Sequence, residues 1–402
     1  MCLLLLYHFK SVDFILFFIY NYIGDDMVKA KNKKRKLKKG AFVIFLILIV
    51  ITLSVVIILK NKSKNNVEKD PKVVNKEENV DTTPKKKKMS LIAVGDVLIH
   101  ESVYKDAKEG NTYNFHKMFT EVEPIINKYD LKFCNQESTI GGTVLGISGY
   151  PSFNSPDEIG DELVSLGFNL ISLANNHAFD KGEDAILYSN SFWKSKNVVT
   201  AGSYSSDEEM NDVKIYEQNG IKYAFFAYTT LSNRKVTKDY LIDMYDADKV
   251  SSDIEKVKGK VDVIIVSMHW GVEYTNTPTE SQRQIAEYLS SLGVNLIIGT
   301  HPHVVQPIEY IGNTLVIYSL GNFISNQLSI GINPGIGLMV GMDIVVNEDG
   351  TVSFDNLYKE LILAYALNSK NFKVIPFSKL DNDMLNDYKT IEEKYMKIVN
   401  GN

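Results

Sequence analysis

Cysteine is nearly absent, with only Cys2 and Cys134 in 402 residues. Cys134 stands alone beyond the first apolar stretches, which excludes an internal disulfide from the main body of the chain. Its place inside a strand-like run reads as a small buried apolar residue. Positive charge is scarce where a nucleic-acid surface would need it. Residues 1–89 carry 19 Lys and Arg against 8 Asp and Glu, a net +11, while the other 313 residues carry 25 against 41, a net −16. A body that acidic has no electrostatic footprint for nucleic acid, and the basic flank suits anionic lipid better. No internal repeat is present. Long uncharged runs are also few. Residues 41–59 form one of 19 residues in which only Thr52 and Ser54 are polar. At about 1.5 Å per residue that is close to the length that crosses hydrocarbon.

Eight Lys or Arg precede this run between Lys29 and Lys39, and fewer follow it. The positive-inside bias predicts a single-pass cell-membrane protein with a cytoplasmic N-terminus and an extracellular C-terminal domain. No small-x-small cleavage site follows the run, so an anchor is favoured over a cleaved signal peptide. Residues 1–26 are apolar but broken by Lys10 and Asp13, and read either as translated sequence upstream of a true start at Met27 or as a further apolar segment. The expected organisation continues with a basic cytoplasmic segment at 27–39, a transmembrane helix at 40–59 and a flexible tether at 60–89. A folded domain at 90–380 and a C-terminal helix at 381–402 complete it. The tether holds Pro71 and Pro84 and keeps no period of two or 3.6.

The folded part is arranged around residues 294–303, VNLIIGTHPH. Its aliphatic half reads as a strand buried on both faces, as a parallel sheet covered by helices requires. Pro302 then restricts its own φ and should push His301 towards extended geometry. Four other runs end the same way. Leu91-Ile92-Ala93-Val94-Gly95 leads into Asp96, residues 131–134 into Asn135-Gln136-Glu137, 169–174 into Asn175-Asn176-His177, and 261–268 into His269. Neighbouring strand ends in an open α/β sheet lie side by side, so the five endings are expected to converge on one crevice.

Helices are predicted over 155–166 with Pro156 at the first position, and over 183–195, 246–258 and 279–292. A helical stretch at 115–128 is interrupted at Pro124, and the last helix, over 381–398, is expected to dock on the outside. Hairpins are predicted over 215–228, 308–319 and 342–357, about Asn219-Gly220, Gly312-Asn313 and Asp349-Gly350. The Gly-rich segment 141–156 lacks a core pattern and is expected to lie over the crevice. The succession of strand and helix gives an α/β class.

Asp96, Glu137, Asn176, His269, His301 and His303 together supply the oxygen and imidazole donors of a hard divalent site, with Glu137 as the carboxylate shared by two ions. A lone Asp96 reads as a helix N-cap or turn residue, and a lone Glu137 as a solvated charge. Repetition at five strand ends favours the metal reading. Asp180 follows His177 closely enough to orient its imidazole, which could protonate a leaving oxygen or grip a phosphoryl oxygen. A hydrogen bond across the loop is the plain alternative for His177.

GDVLIH at 95–100, NQE at 135–137, ANNHAFDKG at 174–182, HWGVEY at 269–274, GTHPHVVQP at 299–307 and YSLGNF at 318–323 resemble the successive motifs of the bacterial CapA family. These are the poly-γ-glutamate capsule biosynthesis proteins, similar to calcineurin-like metallophosphoesterases. The resemblance covers about residues 90–345. It implies a four-layer α/β/β/α sandwich with two divalent ions (Mn, Fe, Zn or Mg), one on Asp96, Glu137 and His303 and the other on Glu137, Asn176, His269 and His301. His177 would be the catalytic histidine, assisted by Asp180. The phosphoesterase pattern has Asp-x-His, whereas His100 lies four residues after Asp96, so the ion nearest Asp96 has fewer ligands unless His100 bends back to it. Asn175 and Asn322 fall within these motifs, and Glu273 and Gln306 are placed at the pocket edge. The implied partners are the membrane, subunits of a poly-γ-glutamate synthase or export complex, and a phosphorylated or polyanionic envelope substrate. Two functions follow: a metal-dependent hydrolase, phosphoesterase-like, or a weakly catalytic binding subunit of the polymer complex. A peptide-bond hydrolase acting on the polymer would need the same activated water.

Overall fold

The computed structural model describes residues 86–402. The expected membrane helix at 40–59, the segments before it and nearly all of the tether lie outside the described residues. Among the described residues no helix is long and apolar enough to cross a membrane.

Side-chain alternation sets the layers. In strand β1 (Lys87–Val97), Leu91 and Ala93 turn into one core cluster while Ile92 and Val94 turn into another. In β9 (Val263–His269), Val263 and Ile265 join the cluster of Leu91, and Ile264 and Val266 face the opposite way into a third. A period of two thus gives each strand two buried faces, one towards the other sheet and one towards helices.

Apart from a small hairpin of β2 (Lys108–Glu109) and β3 (Thr112–Tyr113), the strands form two sheets. The first has eight strands in the order β16 (Lys370–Pro376), β15 (Val352–Leu367), β14 (Ile336–Val346), β1, β4 (Leu131–Asn135), β5 (Leu170–Ser172) and β6 (Val199–Ala201), with β13 (Asn322–Ile324) also paired to β1. From β1 to β6 the strands are parallel, and from β1 to β16 antiparallel. The second sheet runs β11 (Ile308–Ile311), β12 (Thr314–Ile317), β10 (Leu296–Thr300), β9, β8 (Ile221–Thr229) and β7 (Tyr216–Gln218), parallel in its four central strands. Phe133 of the first sheet meets Phe225 of the second edge to face at 6.1 Å, a pairing that adds about 0.5–1.5 kcal/mol to the burial of the rings.

Helices cover both outer faces. Helices α1 (Glu101–Ala107), α2 (Glu123–Ile126), α3 (Asp157–Ser165) and α4 (Glu183–Ser195) pack Val103, Ile126, Ile159, Leu163 and Trp193 on the first sheet. After the short α5 (Asp207–Asn211), helices α6 (Ala247–Val257) and α7 (Glu280–Ser291) pack Val250, Ile254, Ile285 and Leu289 on the second. The result is an α/β sandwich of four layers. Helix α7 starts with a full capping box, in which Thr279 Oγ1 accepts from Gln282 N–H at 3.2 Å and Gln282 Oε1 from Thr279 N–H at 2.9 Å.

Several expectations are revised. Residues 115–128 give a 3₁₀ turn and the short α2, because Pro124 admits helix only at its first turn. Pro156 caps α3 from outside its first turn. The last helix, α8 (Tyr388–Val399), starts later than expected, and its Tyr395 and Val399 join the cluster between the sheets instead of an outer layer. The largest revision concerns the His-Pro-His loop. His301 has φ +95° and His303 φ +57°, so Pro302 does not hold His301 extended. Such backbone at two non-glycine residues costs on the order of 1 kcal/mol or more each. It turns His301 N–H towards the first sheet, where it donates to Asp96 Oδ2 at 3.3 Å.

Candidate metal centre

Both sets of parallel strands point their carboxyl ends at the same rim, and the five polar endings meet there. Gly95 makes the approach possible: a Cβ on it would stand 1.7 Å from the Gly321 carbonyl oxygen. Next to it, Asp96 N–H donates to that same oxygen at 3.0 Å. Asp96, Glu137 and His269 are completely buried, and Asn176, His177, His301 and His303 nearly so.

One donor atom each from Asp96, Glu137 and His303 lie within 4.8 Å of one another, and the same holds for Glu137, His269 and His301. Glu137 is common to both groups. Its Oε1 is 3.6 Å from His303 Nε2 and 3.7 Å from His269 Nε2. Asn176 Oδ1 stands 2.9 Å from that His269 nitrogen, so it belongs to the second group. Supporting contacts fix the donors. Asn135 Nδ2 donates to Asp96 Oδ1 at 2.7 Å, Thr300 Oγ1 lies 3.0 Å from His269 Nδ1, and Asn322 Oδ1 lies 3.0 Å from His303 Nδ1. Orienting partners of this kind set which ring nitrogen faces an ion.

The electrostatics fit cations. Burial pushes the Glu137 carboxyl well above the usual carboxylate range, His303 drawing it back only in part. Burial also holds His269 well below the usual histidine value and takes His301 down to about 3, which favours neutral imidazoles with a lone pair to offer an ion. Burial lowers His303 as well, but the charges of Glu137 and Asp96 outweigh it and bring the group up to about 9. Both Glu137 oxygens and His301 Nδ1 are buried without any hydrogen-bond partner. A carboxylate in that condition would be very costly on its own. Divalent cations held by these groups would remove the cost, and the overlapping groups form a binuclear site suited to two divalent metal ions. The mixed donors suit Mn, Fe, Zn or Mg, and among the described residues no thiolate competes. Cys134 turns into the helix-side core, where burial pushes its thiol far up.

Beside the metal groups His177 Nδ1 lies 2.7 Å from Asp180 Oδ2, which also accepts from Phe153 N–H at 2.7 Å. A cavity of about 730 Å³ opens over this pair and His303, lined among others by Tyr150, Phe153, Arg234, Glu273 and Tyr274. The segment 141–156 contributes Tyr150 to Phe153 to its wall.

Other candidates fall elsewhere. His100 lines the cavity but joins none of the metal groups. It caps α1, and its Nδ1 accepts from Asn326 N–H at 3.2 Å. Burial takes it down to about 4. Gln306 is not at the pocket edge: it is fully buried, accepting from Gln282 Nε2 and donating to Thr275 O, each at 2.8 Å. Asn175 braces the loop, with Nδ2 donating to Gln136 O and Oδ1 accepting from His177 N–H. Glu273 does reach the rim. Sequence reasoning missed Asn135, Asn233 and Arg234. Asn233 N–H donates to Asn176 O at 3.0 Å, and Arg234 Nη1 to Asp180 O at 2.6 Å. Both lie in a polar loop with no pattern to single them out, whereas Asn135 stood in plain view beside Glu137.

Residues 90–327 match the family model described as bacterial capsule synthesis protein PGA_cap. The PGA biosynthesis protein CapA of Bacillus subtilis is 29% identical over 247 residues, covering 60% of this chain and 64% of that protein. The capsule biosynthesis protein CapA of Bacillus anthracis is 25% identical over 253 residues, covering 60% of each. The match therefore spans less than two thirds of either relative. Among solved structures, a hypothetical protein from Thermus thermophilus is 18% identical with a TM-score of 0.45, covering 68% of this chain and 98% of that one. A putative 5'-nucleotidase from Staphylococcus aureus is 16% identical with a TM-score of 0.42, covering 76% and 58%.

Proposed function

The chain belongs to the bacterial capsule synthesis protein family PGA_cap, and on that premise we propose that it is a membrane-anchored, extracellular, metal-dependent hydrolase of the phosphoesterase type that serves capsule assembly. One observation carries the reading: Glu137 is completely buried between two imidazole groups, and neither of its oxygens has a hydrogen-bond partner. In this account Asp96, Glu137 and His303 hold one ion, and Glu137, Asn176, His269 and His301 the other. Two divalent ions so placed would polarise a phosphoester oxygen and acidify an attacking water. With Nδ1 turned to Asp180, His177 presents its other nitrogen to the cavity and donates a proton to the leaving oxygen. Arg234 offers a guanidinium to an anionic group beside the reacting one. Phe153, edge-on to the His177 ring at 4.7 Å, screens one side of it from water.

The substrate class that fits is a phosphorylated or polyanionic envelope molecule. The names of the Bacillus relatives, a PGA biosynthesis protein and a capsule biosynthesis protein, support a place in PGA capsule biosynthesis. The basic segment at 27–39 and the apolar run at 40–59 support the anchor. Full-length protein purified in detergent and loaded with manganese should release phosphate from an aryl phosphate, and His269→Ala should slow that by about hundredfold or more with circular dichroism unchanged. Bound metal without hydrolysis, while capsule export still needs the chain, would instead make it a binding subunit.

A further inference from the structure

The two ions are not equally provided. On the assignment proposed above, on which this inference rests, one ion has four side chains and the other only Asp96, Glu137 and His303. His100, which an Asp-x-His spacing would have brought to the poorer ion, is engaged with Asn326 N–H instead. A carboxylate stands beside the gap. One oxygen of Glu273, one His301 nitrogen and one His303 nitrogen lie within 4.8 Å of one another. His301 is only 5% exposed, and its Nδ1 has no hydrogen-bond partner.

The backbone holds Glu273 there from both sides. Trp270 follows the end of β9 and is fully buried, its Nε1 donating to Tyr318 O at 2.9 Å. Gly271 has φ +90°, and a Cβ on it would stand 2.5 Å from the Gln282 side chain of α7, so only glycine fits this corner. Tyr274, at φ +62°, donates its N–H to Pro302 O at 2.7 Å, the carbonyl between the two imidazoles. Its hydroxyl accepts from Gln327 Nε2 at 3.3 Å. The turn is thus fastened through Trp270 to Tyr318 at one end and through Tyr274 to the His-Pro-His loop at the other. Glu273 lies between these fixings, exposed to the cavity.

We propose that Glu273 is an exchangeable ligand of the ion on the His303 side. It completes that ion's coordination when the cavity is empty of substrate, and gives up its position to an anionic oxygen of the substrate. Exposure is what permits the exchange. A buried carboxylate leaving a cation would be stranded without partners, whereas Glu273 turns back into water at little cost. A hard octahedral ion takes about six ligands, so three side chains leave room for Glu273 or for a substrate oxygen.

The test uses the full-length chain with manganese as the probe, titrated calorimetrically and checked by elemental analysis after dialysis. Wild type should take two ions. Glu273→Ala should keep one at wild-type affinity and bind the second about tenfold or more weaker, with the metal-free melting temperature unchanged. Inorganic phosphate added to the variant should restore the second affinity by filling the vacated position. Two ions of unaltered affinity in Glu273→Ala would overturn the assignment, and a second ion indifferent to phosphate would overturn the exchange. Wild type with fewer than two ions would bring down the proposed function itself.

Discussion

The His177 ring has two polar neighbours, Asp180 and the Asn233 amide, whose Nδ2 lies 3.1 Å from Nδ1. Asp180 is 2% exposed, is held by Phe153 N–H, and accepts at 2.7 Å from His177 Nδ1. In the proposed mechanism this contact fixes the tautomer and orientation of the ring that donates the proton. Asp180→Asn keeps the size and removes the carboxylate that fixes them. In a manganese-loaded assay its kcat should fall by about hundredfold while KM and metal content stay near wild type. A loss of metal instead would mean that Asp180 supports the ion site and has no bearing on proton transfer. At this scale the sequence revealed which atoms were on offer but not how the backbone presents them. A histidine before proline reads as extended, and nothing in VNLIIGTHPH announces φ +95° at His301. That sign follows from contacts across the two sheets, which have no trace in local spacing.

Helix α6 is fixed by a buried ionic group of its own, away from the metal. Lys249 Nζ lies 2.9 Å from Asp243 and 2.6 Å from Asp253, and Asp253 also accepts from the Tyr228 hydroxyl at 3.1 Å. Burial raises the Asp243 carboxyl from 3.8 to about 6, against the pull of Lys249. The folded chain therefore holds that proton more tightly than the unfolded chain. The stabilising contribution is complete below pH 3.8 and is lost as pH rises through about 6, a change of about 3 kcal/mol at most. Asp243→Asn removes it while leaving Lys249 its bond to Asp253. Urea midpoints should show the variant gaining on wild type between pH 4 and pH 7, and a constant difference across that range would contradict the account. Element by element, long strands with clear ends were legible, as β9 and β10 were. Short ones were legible only where a longer apolar run framed them, as 169–174 framed the three-residue β5; β6 and β13, also of three residues each, lack that frame and fall below the length at which alternation can be seen. Strand β16 hid for another reason. It turns from β15 through Asn368 and Ser369, both left-handed, without the glycine that usually marks such a turn.

For the molecule as a whole, the decisive feature is that two sheets present parallel carboxyl ends to one rim, so residues as distant in sequence as Asp96 and His301 share a hydrogen bond. The repeated ending, an apolar run closed by a donor, made that convergence readable before any fold was known. The walls of the cavity were less readable. Arg234 and Asn233 come from a loop whose position depends on the packing of Asn176 and Asp180 beneath it. Glu137 sits where everything meets, and it supplies the sharpest test. Full-length wild type and Glu137→Gln, both dialysed against manganese and confirmed as folded, should be compared by elemental analysis. The account predicts two ions per chain in wild type and loss of both from the variant. A folded wild type with almost no divalent metal, or a variant that keeps both ions, would contradict it.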